Sequence, residues 1–288
     1  MSLAESANAL SRRIPAVVEQ CNYVKRVDSV VAALPWTPFY ELVSLIEQDA
    51  KGAGRHLNLD ASMLEAWAKH ISYSMRIRLR GFEPVVLGEL LAGNSLAAST
   101  ALRAHLEAAA MASLCLTSLN EARDTGRLDR VATLITQTLF GTALYGRARK
   151  DERVVEMLSF AEQRTITIVT AIDALDSFLY HEAANGSTTI LYALLCESAH
   201  PNHRGTKPFV SARETDPEGW IVQYSPVETL ESATVIGIMD GLSLSMRGGY
   251  AASEMLRVAE FDSEKVPYRG CPEDEGQRIW SAFLAPGA

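Results

Sequence analysis

The sequence predicts an all-α protein, a multi-helix bundle that carries one small β-hairpin. Three observations point to it. Leu64, Trp67, Ala68, Ile71, Met75 and Leu79 recur at helical spacing between residues 60 and 80. The stretch from Leu96 to Ala122 is apolar or small almost all round, which is how a helix surrounded by other helices reads. Between Asp151 and Ala184, the positions Val154, Leu158, Ala161, Thr165, Ile168, Ile172, Leu175 and Leu179 alternate steps of four and three, the seam repeat of packed helices.

The elements follow in chain order. Residues 1–58 are expected to form a helical extension of one domain that spans 1–258. Ser62-Met63-Leu64-Glu65 has the Ser-x-x-Glu form in which side chain and backbone cap each other, so it starts a helix. Gly81 and Pro84 then break the pattern and leave a short segment from Val85 to Ala92. Gly93-Asn94-Ser95 stops that segment and caps the apolar helix after it. A shorter helix from Leu128 to Phe140 follows Asp124-Thr125-Gly126, and then comes the long seam helix from Asp151 to Ala184. Asn185-Gly186-Ser187 ends that helix, Thr188 to His200 form another, and Pro201 disfavours helical geometry at His200.

Phe209 to Ala212 and Trp220 to Tyr224 flank Asp216-Pro217-Glu218-Gly219, whose Asp, Pro and Gly occupy their preferred places in a type I turn. This is the hairpin, placed at residues 209–224. Ser225-Pro226-Val227-Glu228 combines an N-cap, a first-position proline and a capping-box Glu, so a helix runs from there to about Arg257. Thr234, Gly237, Gly241, Ser245 and Gly248 give that helix a stripe of small residues, open to close packing within the chain or against a second copy. Residues 259–288 read as an extended tail pinned by Trp280 and Phe283.

Composition narrows the class. Of 288 residues, 48% are hydrophobic and 22% charged, which excludes disorder as the whole answer. A net charge of −8 repels phosphate backbones, so general nucleic-acid binding is not expected. Cys21, Cys115, Cys196 and Cys271 form no C-x-x-C pair, as suits a reduced cytoplasmic protein. No membrane span is expected: the most apolar stretch, Ala97 to Leu119, is interrupted by Arg103, His105 and Glu107.

Chemistry concentrates in two groups. Tyr192, Cys196 and His200 are spaced i, i+4, i+8 on one helix face, with Glu197 one turn before His200, and His203, Arg204 and Lys207 follow as a small positive rim. His200 suits a general acid/base or ligand role oriented by Glu197, and it equally suits a helix end where it donates to orphan carbonyls. In the second group Arg103 and Glu107 are i, i+4 neighbours on an apolar helix, which fits a buried ion pair that fixes helix register. The sharper alternative aims the Glu107 carboxylate at His200. Asp173 and Asp176 can extend either network. Glu197-Ser198-Ala199-His200 is the single Glu-x-x-His, so a symmetric di-iron centre is not expected. A Walker loop, His-Glu-x-x-His, G-x-G-x-x-G and G-x-S-x-G are all absent.

Residues Ile166 to Asp176, Tyr192 to Asn202 and Gly205 resemble a family of bacterial helical proteins with a Tyr…Leu-(Ser/Cys)-Glu-x-x-His-Pro-Asn motif. Arg103-Ala104-His105-Leu106-Glu107 is similar to that family's earlier Arg-x-x-x-Glu. The resemblance implies a helical fold and groups Arg103, Glu107, Glu197 and His200 as candidate catalytic residues, with Tyr192, His203, Arg204 and Lys207 as ligand-binding. It implies no particular activity. A looser likeness to the HEPN superfamily lacks that group's Arg-(x)4–6-His motif: Leu195, Leu194 and Ala193 stand where the Arg belongs. The expected function is a cytoplasmic, homodimeric binding or interaction module with a small anionic ligand, no metal and no cofactor. The alternative is a hydrolase or HEPN-like ribonuclease that uses His200 as acid/base.

Overall fold

The computed structural model describes residues 1–35, 59–142, 163–164, 166–180, 186–199, 210–215, 219–224, 232–262 and 266–284. It is an all-α bundle with a small β-hairpin, as the periodicities require. Helix α1 is Leu3–Arg13, opened by a reciprocal Ser2/Glu5 cap, and α2 is Val18–Ala33. Helix α3 is Ala61–Ala92, α4 is Ser95–Thr125 and α5 is Asp129–Phe140. Helix α6 is Ile168–Tyr180, α7 is Ser187–Ala199, α8 is Ser232–Val258 and α9 is Glu273–Ile279. Among the described residues no helix is long and apolar enough to cross a membrane.

The central element is α4, packed against α3, α6, α7 and α8. Its all-round small and apolar surface lets four neighbours approach, and Ala98, Ala109, Ala110, Ala112 and Leu119 are fully buried. One continuous core joins it to Leu10 and Val24 of the N-terminal helices and to Phe283 near the end. Gly93, in the left-handed conformation, ends α3, and the Asn94 side chain accepts from Ala97 N at 3.1 Å to start α4, as the sequence indicated.

Four expectations need correction. Helix α3 does not break near Gly81 and Pro84 but runs unbroken through both to Ala92. Pro84 removes one hydrogen bond to the Arg80 carbonyl, while buried Leu79, Glu83, Val86, Leu87 and Leu90 hold the turns on either side. Its cap is also two residues earlier than Ser62: Asp60 accepts from Met63 N at 2.9 Å, and Ser62 donates to Asp60. The expected long helix from Asp151 to Ala184 is shorter. Gln163–Arg164 pair in parallel with Gly141–Thr142, and this helix begins only at Ile168, with the β-branched Ile166 and Thr167 just before it suited to non-helical backbone. The seam positions Val154, Leu158, Ala161 and Thr165 lie outside the described residues.

The fourth correction concerns the tail. Residues Glu260–Phe261 and Tyr268–Gly270 pair antiparallel, α9 follows, and a π-helical turn Trp280–Leu284 ends the described chain. Phe283 is a pin, as expected, but Trp280 is 40% exposed; Tyr268 and Ile279 are the buried partners. Apolar side chains spaced along residues 259–284 can be buried only if this segment folds onto the bundle.

The hairpin strands are Val210–Thr215 and Gly219–Tyr224, paired antiparallel with Thr215 opposite Gly219. The turn at Asp216, Pro217 and Glu218 and the start at Ser225 to Glu228 lie outside the described residues. From Gly241 onward the small stripe of α8 faces inward: a Cβ on Gly241 would lie 2.9 Å from Leu102 Cδ2, and one on Gly248 would collide with Leu175. Thr234 and Gly237 stay on the surface.

Candidate functional site

Arg103 and Glu107 lie one turn apart on α4, and Tyr192 reaches them from α7. Arg103 Nε donates to Glu107 Oε1 at 3.1 Å, Tyr192 OH donates to the same oxygen at 3.0 Å, and Arg103 Nη2 donates to the phenol oxygen at 3.3 Å. The Arg103 guanidinium also lies 5.5 Å from the Tyr192 ring centroid. Three predicted residues therefore converge. The pair is not buried, as register-fixing would have it: the two side chains are 34% and 28% exposed. Glu107 accepts from Tyr192 as well as from Arg103. Glu197 is exposed on α7. His200, His203, Arg204 and Lys207 lie outside the described residues.

Asp176 proves to be a capping residue. Its buried carboxylate accepts from Gly186 N and Thr188 N, both at 3.0 Å, and so satisfies the N-terminus of α7 from the neighbouring helix. Asp173 accepts from Thr189 Oγ1 at 3.1 Å. The two carboxylates fix the α6–α7 corner, and through it the height at which Tyr192 meets Arg103.

A second polar group is sealed inside the bundle, and no spacing along the chain announces it. His105 Nδ1 is 2.7 Å from Ser245 Oγ, and His105 Nε2 is 3.7 Å from Glu83 Oε1. Tyr250 OH donates to Glu83 Oε1 at 2.5 Å. The Ser245 hydroxyl donates to Leu242 O, so its oxygen accepts from the Nδ1 proton of His105. Beside them Glu254 is 3.8 Å from Arg76, accepts from Arg257 at 2.7 and 2.9 Å, and accepts from Arg278 at 3.3 Å. Arg76, Glu83, His105, Ser245 and Glu254 are all buried.

Serine, histidine and glutamate in that order are the residue types of a hydrolase triad. The geometry denies the activity. Ser245 and His105 have no exposed surface, so no substrate atom reaches Oγ. Ser245 also sits within α8, where the backbone N–H groups are used by the helix and cannot form an oxyanion hole. The 3.7 Å gap to Glu83 is too long for a hydrogen bond. This is a structural network that ties α3, α4 and α8 together.

Buried phenols give the molecule an alkaline limit. Burial raises Tyr23, Tyr250 and Tyr268 above the ordinary tyrosine value, and burial with the nearby Glu107 pushes Tyr192 up to about 12. In the unfolded chain these phenols ionise near pH 10, so their contribution is complete below about pH 10 and is lost as pH rises above it. Ultraviolet titration should show some of the nine tyrosines ionising well above pH 10. Titration of all nine near pH 10 with the fold intact would contradict the burial argument.

Among the described residues no group of three or more His, Cys, Asp or Glu side chains is placed to hold a metal ion. Fold and site together define a helical bundle with a closed polar core and one half-exposed Arg–Tyr–Glu cluster. Compared with known proteins, the chain matches no protein-family model, no curated protein and no solved structure.

Proposed function

We propose that the chain is a cytoplasmic binding or interaction module, in which Arg103, Glu107, Glu197 and His200 belong to one polar network. Tyr192, His203, Arg204 and Lys207 form its rim toward a small anion. The observation that carries this reading is the mutual pairing of Arg103, Glu107 and Tyr192. A guanidinium and a carboxylate engaged with each other and with a phenol act as a fixed binding face, whereas an acid/base pair must leave one group free for the reacting proton. The module works as a homodimer, with Thr234 and Gly237 as the part of the small stripe still open to a second copy. Light scattering that finds a monomer at high micromolar concentration refutes the dimer.

The test compares Glu107→Gln, Tyr192→Phe and His200→Ala with the parent protein. Each should melt a few degrees lower, and the parent should not turn over single-stranded RNA or simple esters and phosphodiesters. Turnover by the parent that a fully folded His200→Ala variant lacks would overturn the reading in favour of a hydrolase.

A further inference from the structure

We propose that the outer face of α3 docks a second copy of this chain, in an antiparallel, two-fold contact centred at the Pro84 turn. The Thr234 and Gly237 surface of α8 is a separate face, so this contact does not rest on the one proposed there.

Along three turns α3 presents an apolar strip that stays exposed. Ile77 is 51% exposed and Val85 44%, and Gly81, Pro84 and Gly88 are exposed beside them. At 100° per residue these five positions fall within about 100° of one another around the helix, so they share one face. Single exposed aliphatic side chains are ordinary, whereas a continuous apolar face marks an interaction site. A Cβ on Gly81 or on Gly88 would meet nothing within 4 Å. Each glycine weakens the helix relative to alanine, and no neighbour in the same chain fills the space it leaves.

The order of sizes selects the occupant. Ile77, Gly81, Val85 and Gly88 alternate large and small along the face. Turned end over end on a second copy, the row sets Ile77 over the partner's Gly88 and Val85 over the partner's Gly81, and the two-fold axis repeats both contacts. Parallel pairing in register would instead set isoleucine on isoleucine and leave the glycines facing each other.

Charge agrees with the same register. Arg78 and Glu89 lie on one flank of the face and are eleven residues apart, as Ile77 and Gly88 are. Arg78 is exposed and forms no ion pair among the described residues. Glu89 accepts from the Asn94 side chain at 3.0 Å and has no cation beside it among the described residues. A two-fold axis in the contact plane keeps each flank on its own side, so Arg78 meets the partner's Glu89, and the pair occurs twice. A partner of another sequence would have to match both the sizes and the charges by coincidence; a second copy matches them by symmetry. One helix pair over about 16.5 Å is a small interface, so a Kd between roughly 1 and 100 µM is expected.

The experiment is sedimentation velocity of the full chain from about 1 to 500 µM, with melting curves in dilute solution to establish that each variant is folded. The parent should associate as concentration rises. Gly88→Gln should halve the mass that the parent reaches, yet melt at the same temperature or higher, because glutamine favours helix and meets nothing in its own chain. Arg78→Glu should weaken association about fivefold, and Arg78→Glu combined with Glu89→Arg should recover it, since the exchange restores opposite charges across the axis. The proposal is overturned if the parent stays monomeric throughout, if folded Gly88→Gln associates like the parent, or if the double exchange associates no better than Arg78→Glu. Association lost in Gly237→Gln and kept in Gly88→Gln would also overturn it and place the dimer on α8.

Discussion

Glu83→Ala is expected to destabilise the protein by about 3–5 kcal/mol, because it removes one member of a buried charged network and leaves the others without compensation. The Glu83 side chain is 1% exposed, accepts from Tyr250 OH at 2.5 Å, faces His105 Nε2 at 3.7 Å and lies 3.6 Å from Arg80. Alanine leaves a hole in which the Tyr250 phenol proton has no acceptor, far from water. For a chain of this size the loss corresponds to a fall in melting temperature of roughly 5–8 °C. Glu83→Gln keeps an oxygen for Tyr250 and should cost less than half as much. Urea unfolding of the two variants gives the comparison; equal losses would mean that the carboxylate charge and shape contribute nothing beyond volume.

Gly249→Val should cost about 3 kcal/mol, and Gly237→Ala, on the same helix, should stabilise by roughly 0.5–1 kcal/mol. The opposite signs follow from local space. A Cβ at Gly249 would lie 2.9 Å from Leu79 Cδ1 and Ala109 Cβ and 3.1 Å from Ala109 Cα, so α3 and the backbone of α4 must both move. At Gly237 nothing of the same chain lies within 4 Å, so within one copy alanine removes the glycine entropy penalty without a clash. Chemical denaturation of both variants tests the pair together. A stable Gly249→Val would mean that α8 does not approach α4 through its glycines.

Much of the frame was legible in residue order because helix period and capping are local. The Gly93-Asn94 junction, the all-round apolar α4 and the hairpin strands need only neighbours a few positions away. The inward glycines of α8 were legible as a tendency to close packing, while the partner chain segment was not. Helix α3 shows where local signals mislead. Pro84 reads as a stop, yet five buried side chains on the surrounding turns outweigh one lost hydrogen bond. The same proline drew attention away from Glu83 beside it, the centre of the sealed network. Of the candidate site, Arg103 and Glu107 were visible as an i, i+4 pair, but Tyr192 is 85 residues beyond Glu107, and no spacing rule joins them.

The amino-acid order by itself determined an all-α bundle, the apolar stripes of its helices and the types of polar residue they carry. Only the tertiary structure decided which of them meet. It closed Ser245, His105 and Glu83 inside the core, joined the half-exposed Arg103 and Glu107 to the buried Tyr192, and set Arg26 and Arg247 around Tyr23. The physical reason is the range of the forces involved. Backbone hydrogen bonding and side-chain periodicity act within a few residues, whereas burial, pairing and desolvation of a charge depend on which helices the hydrophobic core brings together.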